Sequence, residues 1–191
     1  MVARPPVALL RKLIHIGGGL FVPVALLSQY IALALALLGL FLFIILERQK
    51  RGAVPELFRH LYRDNERESV AMEPLAYLLA IIALLALSIV FMPGACYVAI
   101  LVMTVGDGVA TLAGKAVGGP GLPGSRKTLA GSLAGLVAAA AAGYFVAGLP
   151  VAIAGAAGGM AVEAYAGRYD NALTAVAAFA CAALAAAIIL Q

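Results

Sequence analysis

Apolar residues run for about 17–25 positions at a time, the length a helix needs to cross the hydrocarbon of a bilayer. Seven such runs are read, roughly 7–27, 30–46, 74–92, 95–115, 129–148, 150–167 and 171–190. They predict one all-α domain over 1–191, a polytopic membrane bundle of about seven transmembrane helices. The connections at Ser28-Gln29, Met92-Pro93-Gly94 and Gly148-Leu149-Pro150 are short and uncharged. The other connections carry the charge. Arg4, Arg11 and Lys12 stand at the start, and Arg48, Lys50, Arg51, Arg59, Arg63 and Arg67 follow the second run. Lys115, Arg126 and Lys127 follow the fourth, and Arg168 the sixth. With seven spans, all 13 Lys and Arg fall on one face. The positive-inside rule makes that face cytoplasmic, with the N-terminus inside.

Composition agrees. The chain of 191 residues is 64% hydrophobic and 12% charged, whereas soluble domains are nearer half apolar and a quarter charged. Its length leaves no room for a separate soluble catalytic module. The net charge of +4 follows from topology, so nucleic acid is not an expected partner. Cys96 and Cys181 show no CxxC or Cys/His pattern and read as small core residues. No signal-peptide cleavage pattern follows Arg4, Arg11 and Lys12.

The chemistry concentrates between Gly106 and Ser132. Asp107 follows an apolar run directly, and an intramembrane carboxylate marks a functional site by default. From Gly114 to Ser125 come five glycines and two prolines, and then Arg126, Lys127 and Thr128 open the next span. Close-approaching backbone N–H groups with cations beside them suit a polyphosphate. The plainer reading is a positive-inside flank with a polar packing spot. Thr104, Asp107, Thr111 and Gly114 share a helix face, a stripe suited to Mg²⁺ or to activating a hydroxyl.

Other polar residues gather at the same end. In the first span Arg11 and His15 are i,i+4 neighbours, read either as interfacial side chains or as further phosphate contacts. Glu47 ends the second span, as a local ion-pair partner or as a carboxylate of the site. Residues 47–73 form a cytoplasmic connection whose PELFRHLYR stretch predicts an interfacial amphipathic segment. Residues 115–128 form the Gly-rich cytoplasmic loop. Glu163 near the end of the sixth span, and Asp170 with Asn171 before the seventh, bring carboxylates to the same level, although Asp170 also suits a helix N-cap. Asp107 lies on the order of 12 Å along its helix from Lys115. The polar groups therefore form a one-sided cup, unlike the midplane sites of transporters. The GxxxG pairs Gly131/Gly135 and Gly155/Gly159 read as close helix packing.

RKLIH (11–15), Glu47-Arg48, GDGVATLAGK (106–115), SRKTLAGS (125–132) and the Glu163…Asp170-Asn171 pair occur in order. Together, over nearly the whole chain, they resemble the polyprenol kinase family: dolichol kinase, phytol kinase and CTP-dependent diacylglycerol kinase, relatives of the CDP-diacylglycerol synthases. The resemblance implies transfer of the γ-phosphate of CTP, with a divalent cation, to a lipid alcohol at the cytoplasmic membrane face. Arg11, Lys12 and His15 match its RKxxH motif. Gly106 and Asp107 match its GD, Lys127, Thr128 and Gly131 its KTxEG, and Asp170 and Asn171 its DN. Ala130 replaces the Glu of KTxEG, so another carboxylate, Glu163 or Glu47, has to substitute if that Glu serves metal or nucleotide.

These expectations name Asp107, Lys127 and His15 as catalytic. Arg11, Lys12, Gly106, Lys115, Gly124, Arg126, Lys127, Thr128, Gly131 and Asn171 are expected at the nucleotide, and Asp107, Asp170 and Glu163 at Mg²⁺. The partners implied are CTP, a lipid alcohol and membrane lipids. A cytidylyltransferase making a CDP-lipid is the nearest alternative; a small transporter and a non-catalytic membrane protein are others.

Overall fold

In the computed structural model, residues 7–49, 70–167, 170–189 and 191 are described, without the side chains of 7–9 and 170. The PELFRHLYR stretch, with Arg59, Arg63 and Arg67, and Arg168 lie outside these residues. The described chain is helical throughout its length apart from turns and one loop. Its elements are α1 (Val7–Gly17), a 3₁₀ turn (Gly18–Leu20), α2 (Phe21–Leu27), α3 (Gln29–Gln49) and α4 (Met72–Val90). There follow α5 (Pro93–Leu101), a π turn (Val102–Gly106), α6 (Asp107–Val117), α7 (Leu129–Ala147), α8 (Leu149–Tyr165) and α9 (Asp170–Ile189). The protein is an all-α membrane bundle. Among the described residues, six stretches are long and apolar enough to span a bilayer: Leu10–Leu27, Gln29–Gln49, Met72–Val90, Pro93–Val117, Leu129–Ala147 and Asn171–Ile189.

Two elements differ from the expected spans. The sixth, α8, has only 17 residues, about 26 Å at 1.5 Å per residue, short of a 30 Å hydrocarbon core. Much of it is enclosed by its neighbours, since Val151, Ala152, Gly155, Ala156, Gly159, Met160, Glu163 and Ala164 are buried. The fourth span is continuous from Pro93 to Val117 but is widened by the π turn just before Asp107.

That fourth span is the hub. Every residue from Ala95 to Thr104 is buried, because α4, α7, α8 and α9 all pack around it. Contact between α6 and α7 is made by backbone. A Cβ on Gly131 would lie 2.6 Å from the Ala110 carbonyl oxygen, and one on Gly135 2.6 Å from that of Gly106. The GxxxG spacing therefore packs helices within the chain. Gly155 and Gly159 do the same for α8 against Ala178 and Ala182 of α9.

The short connections turn sharply. Ser28 is extended, Met92 adopts a left-handed conformation at φ 39°, and Gly148 takes φ 76°. At that end Gln29 Nε2 donates to the Ser88 carbonyl and to Tyr97 Oη, both at 2.9 Å, tying α3, α4 and α5 together. Helices alternating in direction bring the N-terminal ends of α1, α4, α7 and α9 beside the C-terminal ends of α3, α6 and α8. Glu47 of α3 accepts the Ala71 backbone N–H at 3.0 Å, just ahead of α4. Arg11 of α1 meets Glu73 of α4 at 3.8 Å.

Candidate functional site

At this polar end Asp107 is the focus. Its side chain is only 5% exposed, and bare burial of a carboxylate costs several kcal/mol unless charge and hydrogen bonds compensate it. Three elements supply that compensation. From α1, Lys12 Nζ donates to Oδ2 at 2.7 Å, and His15 Nε2 lies 3.1 Å from the same oxygen. One turn on in α6, Thr111 Oγ1 donates to Oδ1 at 3.4 Å. At the end of the loop, Lys127 Nζ stands 3.6 Å from Oδ1. Oδ2 is thus held tightly and Oδ1 loosely.

The π turn explains how His15 is placed. In an α-helix the Asp107 N–H would bond to the carbonyl of Met103, four residues back. Here it turns to Val102 and Thr104 instead, and His15 Nε2 lies 2.9 Å from the Met103 oxygen. A carbonyl and a carboxylate both accept only, so Nε2 carries a proton. The lone pair of a neutral ring is then on Nδ1. Tyr77 of α4 fixes the residue further, stacking on the imidazole with centroids 4.3 Å apart and donating its hydroxyl to the His15 carbonyl at 2.5 Å. Helical irregularities of the π type recur at functional sites.

Lys127 links Asp107 to a second buried carboxylate. Its ammonium donates to Glu163 Oε1, and the Glu163 side chain is 1% exposed. The other oxygen, Oε2, is buried with no hydrogen-bond partner. Local structure around Lys127 is tightly specified. Gly118, Gly119 and Gly124 supply backbone at φ 66°, 98° and 71°, conformations that cost a side-chain-bearing residue. Leu122 N–H bonds to the Lys127 carbonyl at 2.9 Å, and Leu129 N–H to that of Pro120 at 3.0 Å. Ser125 Oγ donates to the Ala164 carbonyl and accepts the Lys127 N–H at 3.0 Å. The loop is therefore fastened beside Glu163.

The structure brings Lys12, His15, Asp107, Lys127 and Glu163 together. Thr128 caps α7, accepting the Gly131 N–H at 3.1 Å, and Gly131 packs on α6. Gly106 ends the π turn and packs on α7. Lys115, Gly124 and Arg126 are exposed around the loop, outside the buried cluster but on its side. Arg11 stands one helical position from Lys12, and Asn171 lies half-buried at the start of α9. Asp170 begins α9, and its side chain lies outside the described residues. Of the expected Thr104–Asp107–Thr111 stripe, Thr111 bonds to Asp107. Thr104, within the π turn, donates its hydroxyl to the Ile100 carbonyl at 2.7 Å. Tyr77 and Glu73 carry no functional signal in the sequence, each resembling an ordinary interfacial residue, and Ser125 stands out there only as the first residue of SRKTLAGS. Among the described residues no three of His, Cys, Asp and Glu converge as a metal-binding group. Asp107 and Glu163 nonetheless fit a hard divalent cation. They are two carboxylates facing one position, one with an unpartnered oxygen, and Mg²⁺ needs one or two carboxylates when phosphates supply the rest.

No family model, curated protein or solved structure matches the chain.

Proposed function

We propose that the chain is a CTP-dependent lipid kinase that phosphorylates an isoprenoid alcohol at the cytoplasmic face of the membrane. The observation that carries this reading is the joining of Lys12, His15, Asp107, Lys127 and Glu163 at one end of the bundle, beside the glycine loop. These residues belong to the motifs that resemble the polyprenol kinases. Glu163, held on Lys127, is the carboxylate that stands in where the family motif has Glu and this chain has Ala130.

Phosphoryl transfer asks mainly for positioning and neutralised charge. Lys127, with the exposed Arg126 and Lys115 around the loop, receives the triphosphate. Asp107 and Glu163 would hold Mg²⁺, which would supply charge neutralisation to the phosphates. The lipid hydroxyl oxygen attacks the γ-phosphorus, the bond to the β–γ bridging oxygen breaks, and CDP departs. The hydroxyl proton passes to Nδ1 of His15, whose tautomer Asp107 and the Met103 carbonyl enforce. This is the orienting role a carboxylate plays toward a histidine base. The prenyl tail stays in lipid.

Purified protein incubated with Mg²⁺, CTP and a panel of polyprenols, phytol, geranylgeraniol and diacylglycerol tests the reading. A monophosphorylated isoprenoid is the expected product. No phosphorylated alcohol from any member of the panel would refute it.

A further inference from the structure

Lys127 occupies the position a bridging cation would take. Its ammonium contacts Glu163 Oε1 and lies 3.6 Å from Asp107 Oδ1. Both carboxylate side chains are almost wholly buried, 5% and 1% exposed, whereas that of Lys127 is 28% exposed. Of the three groups, only the lysine is substantially exposed to solvent. Its stem is long and flexible, and its charge is a compact point that solvent accepts well. Behind it, Glu163 Oε2 is buried and unpartnered, an acceptor that an ammonium on Oε1 leaves unused.

We infer that Lys127 is a resident counter-ion masking a divalent-cation site formed by Asp107 and Glu163, so that cation and polyphosphate bind interdependently. Without anion, the lysine neutralises the carboxylates and a divalent cation would meet its repulsion. An arriving phosphate draws the ammonium outward, and the two carboxylates are then left buried without their shared charge. Such groups demand a replacement, and a hard cation with oxygen ligands provides it. Each ligand raises the affinity of the other, as linkage requires. The coupling to CTP rests on the kinase reading above; the masked cation site does not.

The test is Mn²⁺ binding to the full-length protein in detergent, followed by the paramagnetic resonance of bound Mn²⁺ and by thermal unfolding. Lys127→Met should bind Mn²⁺ without nucleotide at least about tenfold more tightly than wild type. Mn²⁺ should raise its unfolding temperature, and Lys127→Met/Glu163→Gln should lose the gain. In wild type, CTP should strengthen Mn²⁺ binding by a similar factor. No gain in Lys127→Met overturns the inference. Lys127→Gln, which keeps a polar head, repeats the test should the methionine variant fail to fold. Independently of any lysine variant, nucleotide-free wild type binding Mn²⁺ as tightly as with CTP, and losing it in Asp107→Asn, also overturns it. If Lys127→Met gains Mn²⁺ affinity while wild type neither binds CTP nor phosphorylates an alcohol, the masked site stands and the kinase reading falls.

Discussion

Lys12 and Asp107 meet at 2.7 Å although 95 positions separate them in the chain. The pair joins the first span to the fourth at the polar end of the bundle. It also delivers His15, one helical turn from Arg11, onto the same carboxylate. Removing the charge of Asp107 therefore strikes several partners at once. Asp107→Asn should lower phosphoryl transfer by about a thousandfold or more, the scale of losing a preorganised electrostatic group. Its stability cost should be about 1–3 kcal/mol, less than a fully enclosed pair would lose, because Lys12 and Lys127 can turn toward water. Activity assays beside thermal unfolding in detergent separate the two effects. Normal turnover in the variant would remove Asp107 from the mechanism.

His15 separates chemistry from binding. With Nε2 protonated and anchored, Nδ1 is the basic nitrogen, and general-base catalysis contributes about 10²–10⁴-fold. His15→Gln should lose turnover on that scale while binding CTP as wild type does. A variant that keeps its rate but loses CTP would assign His15 to the nucleotide instead.

Thr128 already spends its side-chain oxygen on the Gly131 N–H. Thr128→Ala should destabilise by about 1 kcal/mol, the usual loss of a helix cap, and Thr128→Ser should restore it. CTP affinity should not change in either variant. A fall in affinity with stability intact would make the hydroxyl a ligand contact.

A side chain at position 131 has nowhere to go. Alanine ordinarily favours a helix by up to about 1 kcal/mol over glycine. Here its Cβ would press on the Ala110 carbonyl oxygen and lie 3.0 Å from Gly114 Cα. Gly131→Ala should therefore destabilise, by about 1–3 kcal/mol as overpacking does, measured by thermal unfolding. A stabilised variant would mean that α6 and α7 are farther apart.

The helices were legible because a span announces itself by length and apolarity, and because Asp107, Glu163, Lys12 and His15 are polar where polarity is expensive. The short connections were legible from Ser28, Pro93 and Gly148, residue types that favour turns. Hydropathy is blind to hydrogen-bond register, so it could not show the π turn over Val102–Gly106. That turn presents the Met103 carbonyl to His15. Nor could it show that Tyr77 of a different span stacks on His15, since a tyrosine near a helix end is ordinary at an interface. The short sixth span was overextended because Ala166 and Gly167 continue the apolar composition after α8 ends at Tyr165. The cap that Thr128 makes on α7 was also legible, since a threonine before an apolar run is a cap signal.

In the proposed reaction the γ-phosphoryl group of CTP moves to a lipid alcohol. Purified protein, Mg²⁺, lipid alcohols and lipid phosphates should be incubated with CTP labelled at the γ-phosphate and, in parallel, at the α-phosphate. Label from the γ position in the lipid phase, lost in Asp107→Asn, is the predicted result. Label from the α position would instead show a cytidylyltransferase, with attack at the α-phosphorus by a lipid phosphate, and the protein would not be a lipid kinase.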